Sequence, residues 1–176
     1  MKKSALKLSF TALSVCLICI CSWIALPIGG IPMTLQTFGV ALCGFLLGWR
    51  GGLSAIAVYL TLGAVGLPVF AGFGGSLVFL FGPTGGFLFG FLCFSFFCGI
   101  TSRCNSFLFS FLLSFFGLCI CHFLGVVWFS CVSGNSLLHS FFLSSLPYLP
   151  KDIFSILLAR LVWKKIKKRM PNLARE

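Results

Sequence analysis

The sequence predicts an all-α integral membrane protein, a bundle of six transmembrane helices with both termini on the cytoplasmic side. Three observations predict it. The 176 residues are 59% hydrophobic and 9% charged, with mean hydropathy +1.12, whereas a soluble domain carries roughly a quarter of its residues as charges. The apolar runs approach the length of about 20 residues that a span needs. The basic residues gather at the two chain ends and at two internal turns, as cytoplasmic segments of membrane proteins do.

The first span is expected at about 5–26. Lys2, Lys3 and Lys7 sit at its start and place the N-terminus inside. Its apolar run exceeds the h-region of a signal peptide and more spans follow, so it reads as a retained helix. Small residues four apart, Ala5 with Ser9 and Ala12 with Cys16, let another helix approach that face. An outer loop with Gly29 and Gly30 leads through Thr34, Gln36 and Thr37 into a short second span, 37–49. Trp49-Arg50-Gly51-Gly52 is expected to form an inner turn, and the third span covers 53–66.

From Gly66 to Phe87 the chain stays apolar but is interrupted by Gly and Pro too often for one regular helix. Irregular backbone at membrane depth persists only where protein buries it or where it lines a cavity. This segment is therefore expected to wall a small-molecule site near the outer face. The fourth span is expected at 85–101, with an inner turn at Arg103 and Asn105. The fifth is expected at 106–129. An outer loop, 131–146, carries Asn135 and His139. The sixth span, 148–163, runs into a basic tail, 164–176. The whole chain, 1–176, reads as one transmembrane domain. Of all Lys and Arg, only Lys151 falls away from an inner end, and Arg160 lies close enough to Lys164 to snorkel there. Trp23 and Trp128 fall near outer ends and Trp49 and Trp163 near inner ends, as an aromatic belt requires.

The formal charge of +11 does not indicate nucleic acid, because the cations are terminal clusters beside apolar spans, suited to topology and lipid headgroups. Ten cysteines fall mostly inside apolar runs, where Cys packs as a small hydrophobe. Cys16-x-x-Cys19 has redox-motif spacing and opens a competing reading as a membrane thiol-disulfide enzyme. No phosphate-binding Gly-rich loop, no metal-ligand cluster and no chain of buried acids is present in the sequence. The chain is thus expected to be no enzyme and to need no cofactor or metal of its own. Any uphill transport would draw its energy from a partner.

Asp152 is the one acid before Glu176. An ionisable residue in a span points to function; the competing reading is an ion pair with Lys151 or a first-turn carboxylate facing the helix dipole. Ser155 shares its helix face. Gln36, Thr34 and Thr37 offer hydrogen bonds at the outer start of span two, or else cap it. His122 sits in span five, on a ligand or bonded to a helix carbonyl. Phe70, Phe73 and Phe87 flank the Gly/Pro turns and are expected to supply apolar walls.

Three separated stretches, Pro32-Met33-Thr34-Leu35-Gln36-Thr37-Phe38, Gly63-Ala64-Val65-Gly66-Leu67-Pro68-Val69-Phe70-Ala71-Gly72 and Gly82-Pro83-Thr84-Gly85-Gly86-Phe87, resemble the BioY family, the biotin-binding S components of energy-coupling factor transporters. The similarity runs from the first span to Asp152. It implies a six-helix bundle in a bacterial plasma membrane with an outward-facing biotin pocket. It also implies a partner module of a transmembrane coupling protein and two ATPases that use the ATP, although some members take up biotin without a dedicated module. Gln36, Phe70, Phe73, Gly74, Thr84, Gly85, Gly86, Phe87, Asp152 and Ser155 are the binding residues this resemblance suggests, and Ala12 and Cys16 a version of its helix-docking face. Two positions depart from the family pattern: Phe87 stands where Tyr is usual, and Ser155 where a Lys follows the Asp by three. Uptake of another small vitamin or a biotin precursor is the alternative these departures raise.

Overall fold

The computed structural model describes residues 2–28 and 31–169. Gly29, Gly30 and the end of the tail, 170–176, with Arg175 and Glu176, lie outside the described residues, as do the side chains of Lys2 and Lys3. The described chain is mostly helical, with one two-stranded hairpin and short irregular stretches between helices. In order come α1 (Lys2–Trp23), β1 (Ala25–Ile28), β2 (Ile31–Thr34), α2 (Gln36–Ala64), α3 (Leu77–Phe81), α4 (Gly85–Ile100), α5 (Phe107–Ser133), α6 (Leu137–Ser144) and α7 (Leu149–Arg169). Short 3-10 turns lie at Ala71–Phe73 and Thr101–Arg103. Four segments are long and apolar enough to cross a membrane: Ala5–Trp23, Gln36–Ala64, Gly85–Arg103 and Phe107–Ser133. α6 and α7, bent by 53° at their junction, form a fifth if taken as one broken span. The protein is a multi-pass membrane protein.

The 29 residues of α2 do not run straight. Gly48 has φ 69° and ψ 179°, a conformation essentially reserved for glycine. The chain reverses there. In a straight helix Gln36 and Tyr59 would be roughly 34 Å apart at 1.5 Å per residue, yet the Gln36 amide donates to Tyr59 Oη over 2.7 Å. A Cβ on Gly52 would come within 3.2 Å of Gly44 Cα. Arms 36–47 and 49–64 therefore lie antiparallel. The turn sits at Gly48 rather than across the expected Trp49-Arg50-Gly51-Gly52, because Gly48 alone takes the reversal; Gly51 and Gly52 continue as helix, with Gly52 buried against its neighbours.

Small residues set the closest helix contacts. A Cβ on Gly44 would meet Ser95 O at 2.6 Å, and one on Gly52 would meet Ser95 Oγ at 2.6 Å. A Cβ on Gly99 would overlap the Trp49 backbone. α4 thus lies against both arms of α2 at backbone distance. Its other side meets α5, where a Cβ on Gly90 would stand 2.8 Å from Cys121 Sγ and one on Gly117 2.7 Å from Phe97 Cβ. In lipid this is the packing that small residues permit and larger ones forbid. Ile18, Phe45, Ile56, Phe94 and Ile156, from α1, α2, α4 and α7, are fully buried where these helices converge.

The irregular segments are tied down by side chains. The Trp23 indole donates to Pro68 O (2.8 Å) and the Trp128 indole to Gly82 O (2.9 Å), both in the Gly/Pro segment. At the opposite end the Trp163 indole donates to Ser102 O (3.3 Å). Arg160 does not snorkel as expected. It is buried, its guanidinium donates to Thr101 O (3.5 Å) and Cys104 O (2.5 Å), and it lies 5.4 Å over the Phe45 ring. It adds donors to two carbonyls in the turn that follows α4.

The stretch expected as an open loop, 131–146, holds a helix instead. α5 continues past 129 to Ser133 and stops at Gly134, in the left-handed region with φ 71°. The Ser136 hydroxyl then accepts from His139 N (3.4 Å) and starts α6. α7 likewise extends beyond the expected end at 163, to Arg169.

Candidate functional site

A cavity of about 180 Å³ lies under the Gly/Pro segment, between β2, the start of α2, α4, α5 and the start of α7. Its apolar wall includes Phe70, Phe79, Phe87, Leu88, Phe91 and Leu118. Its polar side chains come from four places on the chain: Thr34, Gln36 and Thr37; Thr84; His122; and Ser144 to Asp152, with Tyr148 and Lys151 between. A small number of placed polar groups on apolar walls is the usual make-up of a small-molecule pocket.

Asp152 is the electrostatic centre. The α7 helix starts after Tyr148, and Asp152 falls in its first turn, where a carboxylate also faces the positive end of the helix dipole. The side chain is 4% exposed. Oδ2 meets His122 Nε2 at 3.1 Å and Oδ1 meets Lys151 Nζ at 2.5 Å. An ionised carboxylate only accepts, so His122 donates from Nε2, and its Nδ1 lies 2.8 Å from Ser145 Oγ. Lys151 also donates to Thr34 O (2.7 Å) and Thr37 Oγ1 (3.4 Å), which joins α7 to β2 and α2. Oδ1 makes an ion contact with Lys151 but accepts no well-aligned hydrogen bond among the described residues.

A second polar chain lies opposite. Gln36 Nε2 donates to Tyr59 Oη (2.7 Å), Tyr59 donates to Val69 O (3.1 Å), and the same carbonyl accepts from Ser22 Oγ (2.6 Å). α1, both arms of α2 and the Gly/Pro segment thus meet at Val69. Phe70 follows at once and is held edge-on to Tyr59, ring centroids 5.4 Å apart. Phe87 stands edge-on to His122 at 5.8 Å. It also lies against Gly125, where a Cβ would overlap its ring.

Of the binding residues expected from sequence, Gln36, Phe70, Thr84, Phe87 and Asp152 border the cavity. The others do not. Phe73 is 64% exposed and stacks on Trp23 at 5.1 Å, turned outward by its own positive φ of 58°. Gly74 accepts from Phe70 N in the turn beside it. Gly85 and Gly86 lie behind the wall, against Leu80 and Trp128. Ser155 is buried one turn below Asp152 and away from the cavity. His122 and Lys151 are the main residues at the cavity that sequence reading did not place there. The hint for His122 was the scarcity of partners for a buried Asp; for Lys151 it was being the one cation away from an inner end. Ala12 and Cys16 are exposed along one side of α1. Cys19 is buried, so Cys16 and Cys19 face different surroundings.

The fold and site define a membrane-embedded, small-molecule-binding helical bundle. The sequence matches the BioY family over residues 1–172, and the chain belongs to that family. A probable biotin transporter BioY of Pyrococcus horikoshii is 34% identical over 163 residues, covering 93% of this chain and 97% of that protein. A biotin transporter BioY of Thermotoga maritima is 48% identical over 94 residues, 53% of each chain, so this match spans about half of that relative. The fold matches a crystal structure described as the S-component for biotin from an ECF-type ABC transporter. The TM-score is 0.88 at 26% identity, over 95% of this chain and 93% of that one.

Proposed function

We propose that the chain is the membrane substrate-binding component of a biotin uptake system. The observation that carries this is Asp152, a buried carboxylate on the cavity wall, held by His122 and Lys151. The ureido ring of biotin offers two N–H donors and one carbonyl acceptor. The Asp152 carboxylate accepts from the N–H groups in a charge-assisted bond, among the stronger kinds. Gln36 and Thr84 serve the rest of the ring, and Phe70 and Phe87 flank the apolar part of the ligand. The relatives named as biotin transporters and the structural likeness to a biotin S-component support the same ligand.

In this reading the chain forms a single transmembrane domain in a bacterial plasma membrane. Counting the two arms of α2 separately, and α6 with α7 as one span, gives six passes and puts both termini on the cytoplasmic side. The chain carries no cofactor; biotin is its transported substrate. A transmembrane coupling protein docks on the α1 face around Ala12 and Cys16, and partner ATPases use the ATP. The test is uptake of radiolabelled biotin in a biotin auxotroph, comparing the wild type with Asp152→Asn at equal expression. A large loss is expected, and unchanged uptake removes Asp152 from the site. Ser155, where the family pattern has Lys, favours one second reading, a biotin precursor as the ligand. Titration of the purified protein with biotin and dethiobiotin separates the two, and absence of biotin binding overturns the main one.

A further inference from the structure

A second cavity, larger than the one beside Asp152, lies elsewhere in the bundle. A space of about 870 Å³ opens at the opposite end of the bundle, between the first turns of α1, the Gly48 reversal of α2 and the end of α4. One side is apolar, with Phe10, Leu46 and Ile100. Ile100 is 43% exposed, so this wall continues onto the outer surface of the bundle. The rim is basic, with Lys7, Arg50 and Arg103. The Arg50 guanidinium stands 4.8 Å from the Trp49 ring, which orients it. The sequence has two acidic side chains, and Asp152 is engaged at the far end. Lys7, Arg50 and Arg103 bring three cations to this one rim.

We infer that this cavity holds the headgroup of one anionic phospholipid, with its phosphate on Lys7, Arg50 and Arg103 and its first acyl carbons along Phe10, Leu46 and Ile100. Guanidinium groups match phosphate oxygens in pairs, and basic pockets between membrane helices suit anionic headgroups. The volume falls in the range of about 300–1,000 Å³ for ligand pockets. An apolar wall joined to a cationic rim fits an amphiphile better than a free ion. The neighbouring tail, with Lys164, Lys165, Lys167 and Lys168, draws anionic lipid to the same end, so the test must separate pocket from tail.

The experiment is native mass spectrometry of the purified full chain in detergent, without biotin, after exchange with phosphatidylglycerol, phosphatidylcholine or inorganic phosphate. One tightly retained phosphatidylglycerol is expected, with a thermal midpoint raised by several degrees, and neither effect from phosphatidylcholine or phosphate. Arg50→Gln with Arg103→Gln should abolish retention, while Gln at the four tail lysines should preserve it. Exposed Lys7→Gln, which leaves the packed interior untouched, should weaken retention at least fivefold and serves if the double variant does not fold. Equal retention of phosphatidylcholine, a matching response to inorganic phosphate, unchanged retention in the rim variants, or loss in the tail variant overturns the inference. Because biotin is absent from the assay, its outcome is separate from that of the transport reading.

Discussion

His122 on α5 and Asp152 on α7 meet at 3.1 Å, Nε2 to Oδ2, across 30 residues of sequence. With Ser145 behind the ring and Lys151 beside the carboxylate, they set the direction of the one buried acid in the described chain.

Replacing Asp152 by Asn keeps the shape but turns one acceptor into a donor that faces the His122 N–H. A hydrogen bond to a charged group contributes about 1.5–3 kcal/mol, which is roughly 10- to 100-fold in affinity. Isothermal titration of purified Asp152→Asn with biotin should show at least the lower figure. Wild-type affinity would mean that the carboxylate only organises the fold.

His122→Phe leaves Oδ2 without its donor in a buried place, a cost of about 1–3 kcal/mol. Thermal unfolding in detergent should register it, together with weaker biotin binding. His122→Gln retains an N–H and should recover part of both. If Phe and Gln behave alike, the ring acts through packing on Phe87 alone.

Gly44→Leu pushes a side chain into the α4 backbone, since even a Cβ would stand 2.6 Å from Ser95 O. Overpacking of this kind costs about 1–3 kcal/mol or more, and the yield of folded protein should fall sharply. Gly134→Ala is the control. Nothing lies within 4 Å of its Cβ position and only the left-handed backbone resists, so a loss of about 1 kcal/mol is expected. Unfolding midpoints of the two variants should separate clearly in that order.

Cys16→Ser with Cys19→Ser should leave biotin uptake intact. Neither residue borders the cavity beside Asp152. Loss of uptake at normal expression would instead mark the α1 face around Cys16 as sensitive even to a change from Cys to Ser.

Much of the fold was legible because lipid imposes simple rules: long apolar runs, basic ends and tryptophans near the rims. The sequence showed the Gly/Pro segment as a wall and Asp152 as its polar counterpart. What it left unseen depends on single conformations. Gly48, Gly51 and Gly52 look alike in sequence, and only the chosen φ says which one turns. Phe73 looks like a wall residue until its positive φ sends it to Trp23. His122 and Lys151 needed the bend between α6 and α7, because periodicity along one helix says nothing of which neighbour it meets. The helix in 131–146 was hidden by its serines, which read equally as loop and as helix cap.

The reversal at Gly48 has a mechanical consequence. Its two arms are fastened at one end by the turn and near the other by the bond from Gln36 to Tyr59, while α4 grips both through Ser95. A frame closed at both ends resists bending. A push at the basic end is therefore delivered to the ligand end as the swing of a stiff lever, and little of it is lost as flexing along the way.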